Sequence, residues 1–144
     1  MNDHPQPTAT ARHTILLIDD DARVRQNMAL LLRWAGDWEV VGEAVDGAGA
    51  LALAATCRPD LVLLDRWLAD GDVLQLLPQL RALDSAPRIA ILTADPAAVE
   101  QAQQIAPGVA ICLDKMTPPL ELLAALRALV SIERSRQSSI AGRE

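Results

Sequence analysis

Short apolar segments alternate with longer segments of helical periodicity along almost the whole chain, and this alternation constrains the fold most. The first apolar run, residues 14–18, ends abruptly at three aspartates, which is typical of a strand buried on both faces. We interpret four later runs as strands, at 39–44, 60–64, 88–92 and 109–113. The segments with helical spacing lie at about 22–35, 47–57, 73–83, 96–105 and 118–134. Asp21 is placed to cap the first helix and Gly36 to end it.

Strands that are separated by helices run parallel, because each helical crossover returns the chain to the same end of the sheet. Helices then cover both faces of that sheet. The sequence therefore predicts the α/β class, with a doubly wound, five-stranded parallel sheet.

The length of the chain, 144 residues with 51% apolar side chains, suits one domain with a real core. We place this domain at 14–134, with a disordered tail at 1–13 and a linker or C-terminal tail at 135–144, because neither end has apolar periodicity. No apolar run approaches the roughly 20 residues of a membrane span. We expect a cytoplasmic protein without a membrane partner, whose two cysteines, Cys57 and Cys112, are reduced and packed.

The net charge of −6 argues against direct binding to DNA, since non-specific affinity for nucleic acids comes from clustered lysine and arginine. The chain also lacks phenylalanine and tyrosine and has only three tryptophans, so it offers no platform for stacking bases. Any contact with DNA would need an output domain that is not present in this chain.

Reactive side chains follow four of the predicted strands at the edge where parallel sheets bind ligands. Asp19 and Asp20 follow the first strand, Asp65 follows the third, Thr93 ends the fourth and Lys115 follows the fifth. A charged residue at a strand end is ordinary, but clustered carboxylates repel one another unless a cation lies among them. Oxygen ligands without histidine or cysteine favour a hard ion, and we expect Mg²⁺.

Phosphoryl transfer is the chemistry that suits this set of groups. A carboxylate can attack a phosphoryl group, and a metal ion, a lysine and a hydroxyl can neutralise the phosphoryl oxygens. Both histidines, His4 and His13, lie in or beside the polar N-terminal segment, so no Ser/His/Asp arrangement competes.

The ordered motifs IDD (18–20), LVLLD (61–65), ILT (91–93) and CLDK (112–115) resemble the receiver domain of bacterial two-component response regulators. The resemblance covers about 14–132 and implies a flavodoxin-like strand order, 2-1-3-4-5. It implies that a histidine kinase phosphorylates Asp65, that Asp20 binds Mg²⁺ directly and Asp19 through water, and that Thr93 and Lys115 sense the phosphate. Trp67 would offer its backbone carbonyl to the metal. Such a domain is not a turnover enzyme, although it promotes its own phosphorylation and dephosphorylation.

Three motifs depart from the family pattern. Cys112 stands where the family usually has an aromatic switch residue, Met116 stands where a proline commonly follows the lysine, and Leu68-Ala69 replaces the frequent Met-Pro. We expect an atypical switch at Cys112, with output resting on Thr93 and the fourth helix. Near the acceptor, Trp67 and Asp95 are expected to tune the lifetime of the phosphoryl group.

Several questions stay open at this level. A phosphohydrolase of the haloacid-dehalogenase type, with Asp19 as nucleophile, and a phosphorylation-independent interaction module are alternative functions. Parts of the sequence resemble receivers that are joined to a helix-turn-helix DNA-binding domain in transcription regulation, so the chain is either a stand-alone receiver or a fragment. A broad apolar stripe on the last helix is explained by a homodimer or partner contact, or by a helix lying flat on the sheet: Leu122, Leu123, Leu126, Leu129 and Val130.

Overall fold

The computed structural model describes residues 12–95, 97 and 110–141. Its main sheet has five parallel strands in the order β2-β1-β3-β6-β7, which is the order 2-1-3-4-5 when only these strands are counted. The predicted α/β class and strand order are confirmed. The strands are β1 (His13–Ile18), β2 (Trp38–Ala44), β3 (Leu61–Asp65), β6 (Arg88–Thr93) and β7 (Ala110–Asp114), and a separate hairpin contains β4 (Trp67–Leu68) and β5 (Gly71–Asp72).

The helices are α1 (Ala22–Ala35), α2 (Gly47–Cys57), α3 (Leu77–Arg81) and α4 (Pro119–Ala141), with a 3-10 turn at Val73–Gln75. The predicted signals of α1 are confirmed. The Asp21 carboxylate accepts a hydrogen bond from the N–H of Arg23 at 2.9 Å, and Gly36 ends the helix with a φ of 88°. Only glycine adopts this left-handed conformation without strain. The predicted helix at 96–105 lies outside the described residues, apart from Ala97.

The apolar core lies on both faces of the sheet because alternate residues of each buried strand point to opposite sides. On β1, Leu16 and Ile18 pack in the cluster that faces α2 and α3, while Ile15 and Leu17 pack in the cluster that faces α1 and α4. Strands β1 and β3 lie in the middle of the sheet, and their last residues therefore emerge side by side.

The segment 73–83 was predicted as one helix, and this prediction was wrong in detail. The chain forms the 3-10 turn and then the five-residue helix α3. Pro78 explains the break, since proline has no N–H to donate and is tolerated only in the first turn of a helix. The part of the preceding stretch that was expected to be loose contains the β4–β5 hairpin.

The last helix, α4, continues to Ala141, past the predicted end near residue 134. Its predicted core stripe is buried, and Leu122 is buried with it while Leu129 packs against the same cluster. The broad stripe is thus explained by a helix that lies flat on the sheet. None of the helices in the described part of the chain combines the length and the hydrophobicity of a transmembrane segment.

Candidate functional site

Three aspartates meet at the carboxyl-terminal edge of the central strands. One carboxylate oxygen from each of Asp19, Asp20 and Asp65 lies within 4.8 Å of the others. Asp19 and Asp20 directly follow β1, and Asp65 is the last residue of the neighbouring strand β3. Asp19 is buried, Asp65 is half-buried and Asp20 is exposed, so the cluster opens to solvent on the side of Asp20.

Asp19 is held at each of its polar groups. Its carboxylate accepts a hydrogen bond from the N–H of Asp21 at 2.9 Å, and its own N–H donates to the carbonyl of Ala44 at 3.1 Å. The guanidinium of Arg25 donates to the Asp19 carbonyl and also pairs with Glu43 on β2, at 3.0 Å between Nε and Oε1. These contacts fix the acidic loop to α1 and to the end of β2.

The electrostatics of the cluster suit a divalent cation. Burial raises the pKa of Asp19 above its ordinary value and the charge of Asp65 adds to this, although the N–H of Asp21 and Lys115 act in the opposite direction. Adjacent carboxylates that resist ionisation together are relieved by a bound cation. Oxygen atoms from three carboxylates, one of them exposed, match the preference of Mg²⁺ for hard ligands and retained waters.

Lys115 and Thr93 bring two further polar side chains to the same edge of the sheet. The Nζ of Lys115 lies 3.0 Å from Oδ1 of Asp65, and the backbone N–H of Lys115 donates to the Thr93 carbonyl at 2.8 Å. Thr93 is buried at the end of β6, and its hydroxyl oxygen accepts a hydrogen bond from the N–H of Asp95 at 3.2 Å. A cation and a hydroxyl therefore reach the edge where Asp65 ends its strand.

The loop after Asp65 contains an ion pair that was not predicted from the sequence. Arg66 is only 6% exposed, and its guanidinium donates to both carboxylate oxygens of Asp72, at 2.8 and 3.0 Å. Burial alone would raise the pKa of Asp72, but Arg66 and the N–H of Leu74 hold it below its ordinary value. The signal available in the sequence was an arginine directly after a buried strand, with an aspartate six residues later.

Trp67 lies on β4 and is 58% exposed. The guanidinium carbon of Arg66 lies 4.8 Å from the centre of the Trp67 ring, which is the geometry of a cation–π contact. From the sequence, Trp67 was expected to offer its carbonyl to the metal and to tune the lifetime of the phosphoryl group, but its contact with Arg66 was not anticipated.

Asp70 joins the same hairpin to α2. Its carboxylate accepts hydrogen bonds from the N–H groups of Gly47 and Ala48, at 2.8 and 3.1 Å. These N–H groups belong to the first turn of α2, where a carboxylate is favoured. The loop after Asp65 is therefore anchored at two points, by Asp70 to α2 and by Asp72 to Arg66.

Cys112 is buried on β7 and packs in the core cluster that faces α2 and α3. Burial raises the pKa of its thiol, and the charge of Arg66 is close enough to oppose this effect. The position expected to hold the switch thus contains a small neutral side chain near the Arg66 guanidinium.

Comparisons with known proteins agree with this geometry. Residues 15–127 match the family model described as the response regulator receiver domain. The chain is 33% identical over 129 residues to the transcriptional regulatory protein LiaR of Bacillus subtilis, covering 90% of this chain and 61% of LiaR. It is 38% identical over 120 residues to the DNA-binding response regulator MtrA of Mycobacterium tuberculosis, covering 83% of this chain and 51% of MtrA.

Solved structures give the same result. The signal receiver domain of NarL from Mycobacterium tuberculosis superposes with a TM-score of 0.74 at 28% identity, covering 84% of this chain and 98% of that one. A LuxR-family response regulator from Aurantimonas sp. SI85-9A1 superposes with a TM-score of 0.75 at 28% identity, covering 84% and 86%. The chain spans 61% and 51% of the lengths of LiaR and MtrA. The chain therefore belongs to the response regulator receiver domain family.

Proposed function

We propose that the chain accepts a phosphoryl group from a histidine kinase on Asp65, in a reaction that requires Mg²⁺. The observation that carries this proposal is that the Asp65 carboxylate lies close to two further carboxylates and to Lys115. The Nζ of Lys115 lies 3.0 Å from Oδ1 of Asp65. Asp19, Asp20 and Asp65, with the backbone carbonyl of Trp67, would hold the cation. When bound, Mg²⁺ supplies positive charge that neutralises the phosphoryl oxygens.

In the transfer, a carboxylate oxygen of Asp65 attacks the phosphorus of the phosphohistidine. The P–N bond breaks, its electron pair returns to the imidazole nitrogen, and Asp65 becomes an acylphosphate. Lys115, already paired with Asp65, would follow the charge onto the phosphoryl oxygens. The protein turns over no substrate of its own, apart from later losing the phosphoryl group to water.

Phosphorylation would become a signal through the groups next to the acceptor. The phosphoryl group carries a charge of about −1.5 to −2 and three acceptor oxygens, which would draw in the Thr93 hydroxyl and Lys115. With Cys112 at the switch position, we infer that output depends on Thr93 and the segment after β6, rather than on an aromatic ring. Trp67 and Asp95 would tune the lifetime of the acylphosphate.

We also propose that the domain spans 14–134 and that 135–144, into which α4 continues as far as Ala141, is a linker or a C-terminal tail of the regulator. The names of LiaR and MtrA describe transcriptional regulation and DNA binding, and the chain covers 61% and 51% of these proteins. In this proposal the protein is cytoplasmic and acts in transcription regulation, and an output domain binds the DNA. The receiver domain could form a homodimer.

The test is incubation of the protein with acetyl phosphate and Mg²⁺, followed by intact-mass measurement. A stoichiometric phosphoryl adduct is expected, and it should be absent from Asp65→Asn and from samples containing EDTA. Asp84→Asn is the matched control, because this exposed acid lies away from the cluster, and it should retain the adduct.

The two alternatives predict different results in the same assay. A phosphohydrolase would release phosphate steadily and would lose that activity in Asp19→Asn. A phosphorylation-independent interaction module would form no adduct and would not bind beryllofluoride. The result expected of the phosphohydrolase and the result expected of the interaction module would each overturn the proposal.

A further inference from the structure

Arg66, which directly follows the proposed acceptor in sequence, forms an ion pair with Asp72 that has no part in the proposed phosphoryl transfer. This pair closes the base of the β4–β5 hairpin, because Arg66 precedes β4 and Asp72 ends β5. Asp72 is fixed in turn, since the same carboxylate accepts a hydrogen bond from the N–H of Leu74 at 3.0 Å. The Arg66 backbone is held as well, by donation to Leu92 at 2.9 Å and acceptance from Val73 at 3.0 Å.

The Trp67 ring lies against the guanidinium of the Arg66–Asp72 pair. In the hairpin, Trp67 is paired with Asp72, so the ring, the guanidinium and the carboxylate lie at the same end of the ribbon. The guanidinium carbon lies 4.8 Å from the ring centre, whereas more than half of the side chain is exposed to solvent. An exposed indole has several accessible rotamers, and a cation fixed against one face favours the rotamer that stacks on it.

We propose that Arg66 and Asp72 fix the orientation of the Trp67 indole, two residues beyond Asp65, and that this orientation sets how long a phosphoryl group persists on Asp65. The inference rests on the proposed function, since it concerns the lifetime of the acylphosphate on Asp65. That group is lost when the oxygen of water attacks phosphorus. The bond between phosphorus and the Asp65 oxygen breaks, the carboxylate is restored, and inorganic phosphate leaves with the water oxygen. A ring held two residues from the acceptor hinders the approach of water.

Arginine is specifically suited to this task. Its planar group donates to both oxygens of Asp72 while its central carbon lies over the indole ring, a combination that an ammonium group does not reproduce. A cation–π contact at an exposed site corresponds to about a two- to fivefold preference for the stacked orientation. The effect of losing the contact on the half-life should be of that size.

The experiment is a double-mutant cycle on the half-life of the acylphosphate, formed with acetyl phosphate and Mg²⁺ and followed after removal of the donor. Arg66→Met and Trp67→Asn should each shorten the half-life, Arg66→Met by about two- to fivefold. In the double variant, Arg66→Met should add no further effect to Trp67→Asn, because Arg66 acts through the ring. A general weakening of the fold would shorten the half-life in both backgrounds.

Asp72→Asn is the second route to the same test if Arg66→Met fails to fold. Asparagine still accepts from Leu74 but binds Arg66 without charge, so the half-life should shorten, and again only when Trp67 is present. The matched control is Arg127→Met, which breaks another bidentate Arg–Asp pair, with Asp37 at 2.8 and 3.0 Å. Its half-life should equal that of the wild type.

An unchanged half-life in Trp67→Asn, or in folded Arg66→Met or Asp72→Asn, would overturn the inference. Independent, multiplicative effects of Arg66→Met and Trp67→Asn would overturn it too. A wild-type protein that forms no adduct contradicts the proposed function instead, so the two failures are distinguishable.

Discussion

At the scale of single residues, the surroundings of Asp19 disfavour the ionised carboxylate that a bound cation would require. Asp19 is 5% exposed and its carboxylate lies among those of Asp20 and Asp65. Burial and like charge both disfavour its ionised form, and the raised pKa means that the ionised carboxylate destabilises the folded protein at neutral pH. The arrangement therefore costs stability in the absence of a cation and provides the ligands that bind one.

Replacing Asp19 with asparagine should separate these two effects. Without metal, Asp19→Asn should raise the free energy of unfolding by about 1 kcal/mol, because the repulsion is removed while the side-chain oxygen still accepts from Asp21. The Kd for Mg²⁺ should rise at least tenfold, on the order of what lost metal-site interactions cost. Denaturant unfolding in EDTA and a Mg²⁺ titration measure the two quantities.

Asp21→Asn provides the comparison for this experiment. Asp21 is the neighbouring exposed acid, its carboxylate is not one of the three that cluster, and asparagine preserves the helix cap. Its Mg²⁺ affinity should stay close to that of the wild type. Equal Kd values for Asp19→Asn and the wild type would remove Asp19 from the metal site.

At the scale of elements, helix α4 has one face that is buried against the sheet and another that is exposed to solvent. Leu123, Leu126 and Val130 are buried against the sheet, while Leu120 on the same helix is 67% exposed. The apolar stripe that was broad in the sequence is used for packing on the domain itself.

The same substitution on the two faces should therefore have very different costs. Leu126→Ala should lower the free energy of unfolding by about 2–5 kcal/mol, since it removes buried apolar atoms and leaves a cavity. Leu120→Ala should change it by less than about 0.5 kcal/mol. Urea unfolding monitored by circular dichroism checks both variants, and similar costs for the two would contradict the burial of this face.

Elements also differ in how well their sequence reveals them. The period of β1 and the cap of α1 are local properties, so residues 14–18 and Asp21 were interpreted correctly from the sequence. The segment 73–83 was not, because its apolar spacing is helical while Pro78 interrupts the hydrogen bonds that the spacing implies. The short hairpin before it has no periodic signal, since each of its strands has two residues.

At the scale of the whole molecule, the pair Asp37–Arg127 joins the loop before β2 to α4, across 90 residues of sequence. The hydrogen bonds from Arg127 hold the pKa of Asp37 below its ordinary value. A carboxylate with a lowered pKa in the folded state stabilises the protein above its unfolded pKa, about 3.9, and loses that contribution as the pH falls through the folded value.

The contribution of this pair should consequently depend on pH. Both side chains are about a third or more exposed, at 43% and 31%, so screening by solvent limits the effect to about 0.5–1 kcal/mol. Arg127→Met should lower the free energy of unfolding by that amount at pH 7, and the difference from the wild type should shrink below about pH 4. Denaturant unfolding at pH 7 and pH 3 measures it, with the exposed Arg81→Met as control. A difference that is equal at both pH values would exclude the carboxylate as its source.

The sequence by itself determined the fold class, the strand order implied by the family motifs, and which acids, hydroxyl and ammonium emerge at one edge of the sheet. The fold class follows from hydrophobic period, which depends on residues close together in sequence, and the shared edge follows from the parallel crossovers that the alternation implies. The strand order came only from the resemblance to a known family. Only the tertiary structure decided that Arg66 pairs with Asp72 and contacts the Trp67 ring. It also decided that Arg25 donates to the Asp19 carbonyl and that Leu122 is buried in the core. The direction of a side chain depends on which neighbours the packed chain brings to it, and a linear pattern does not specify them.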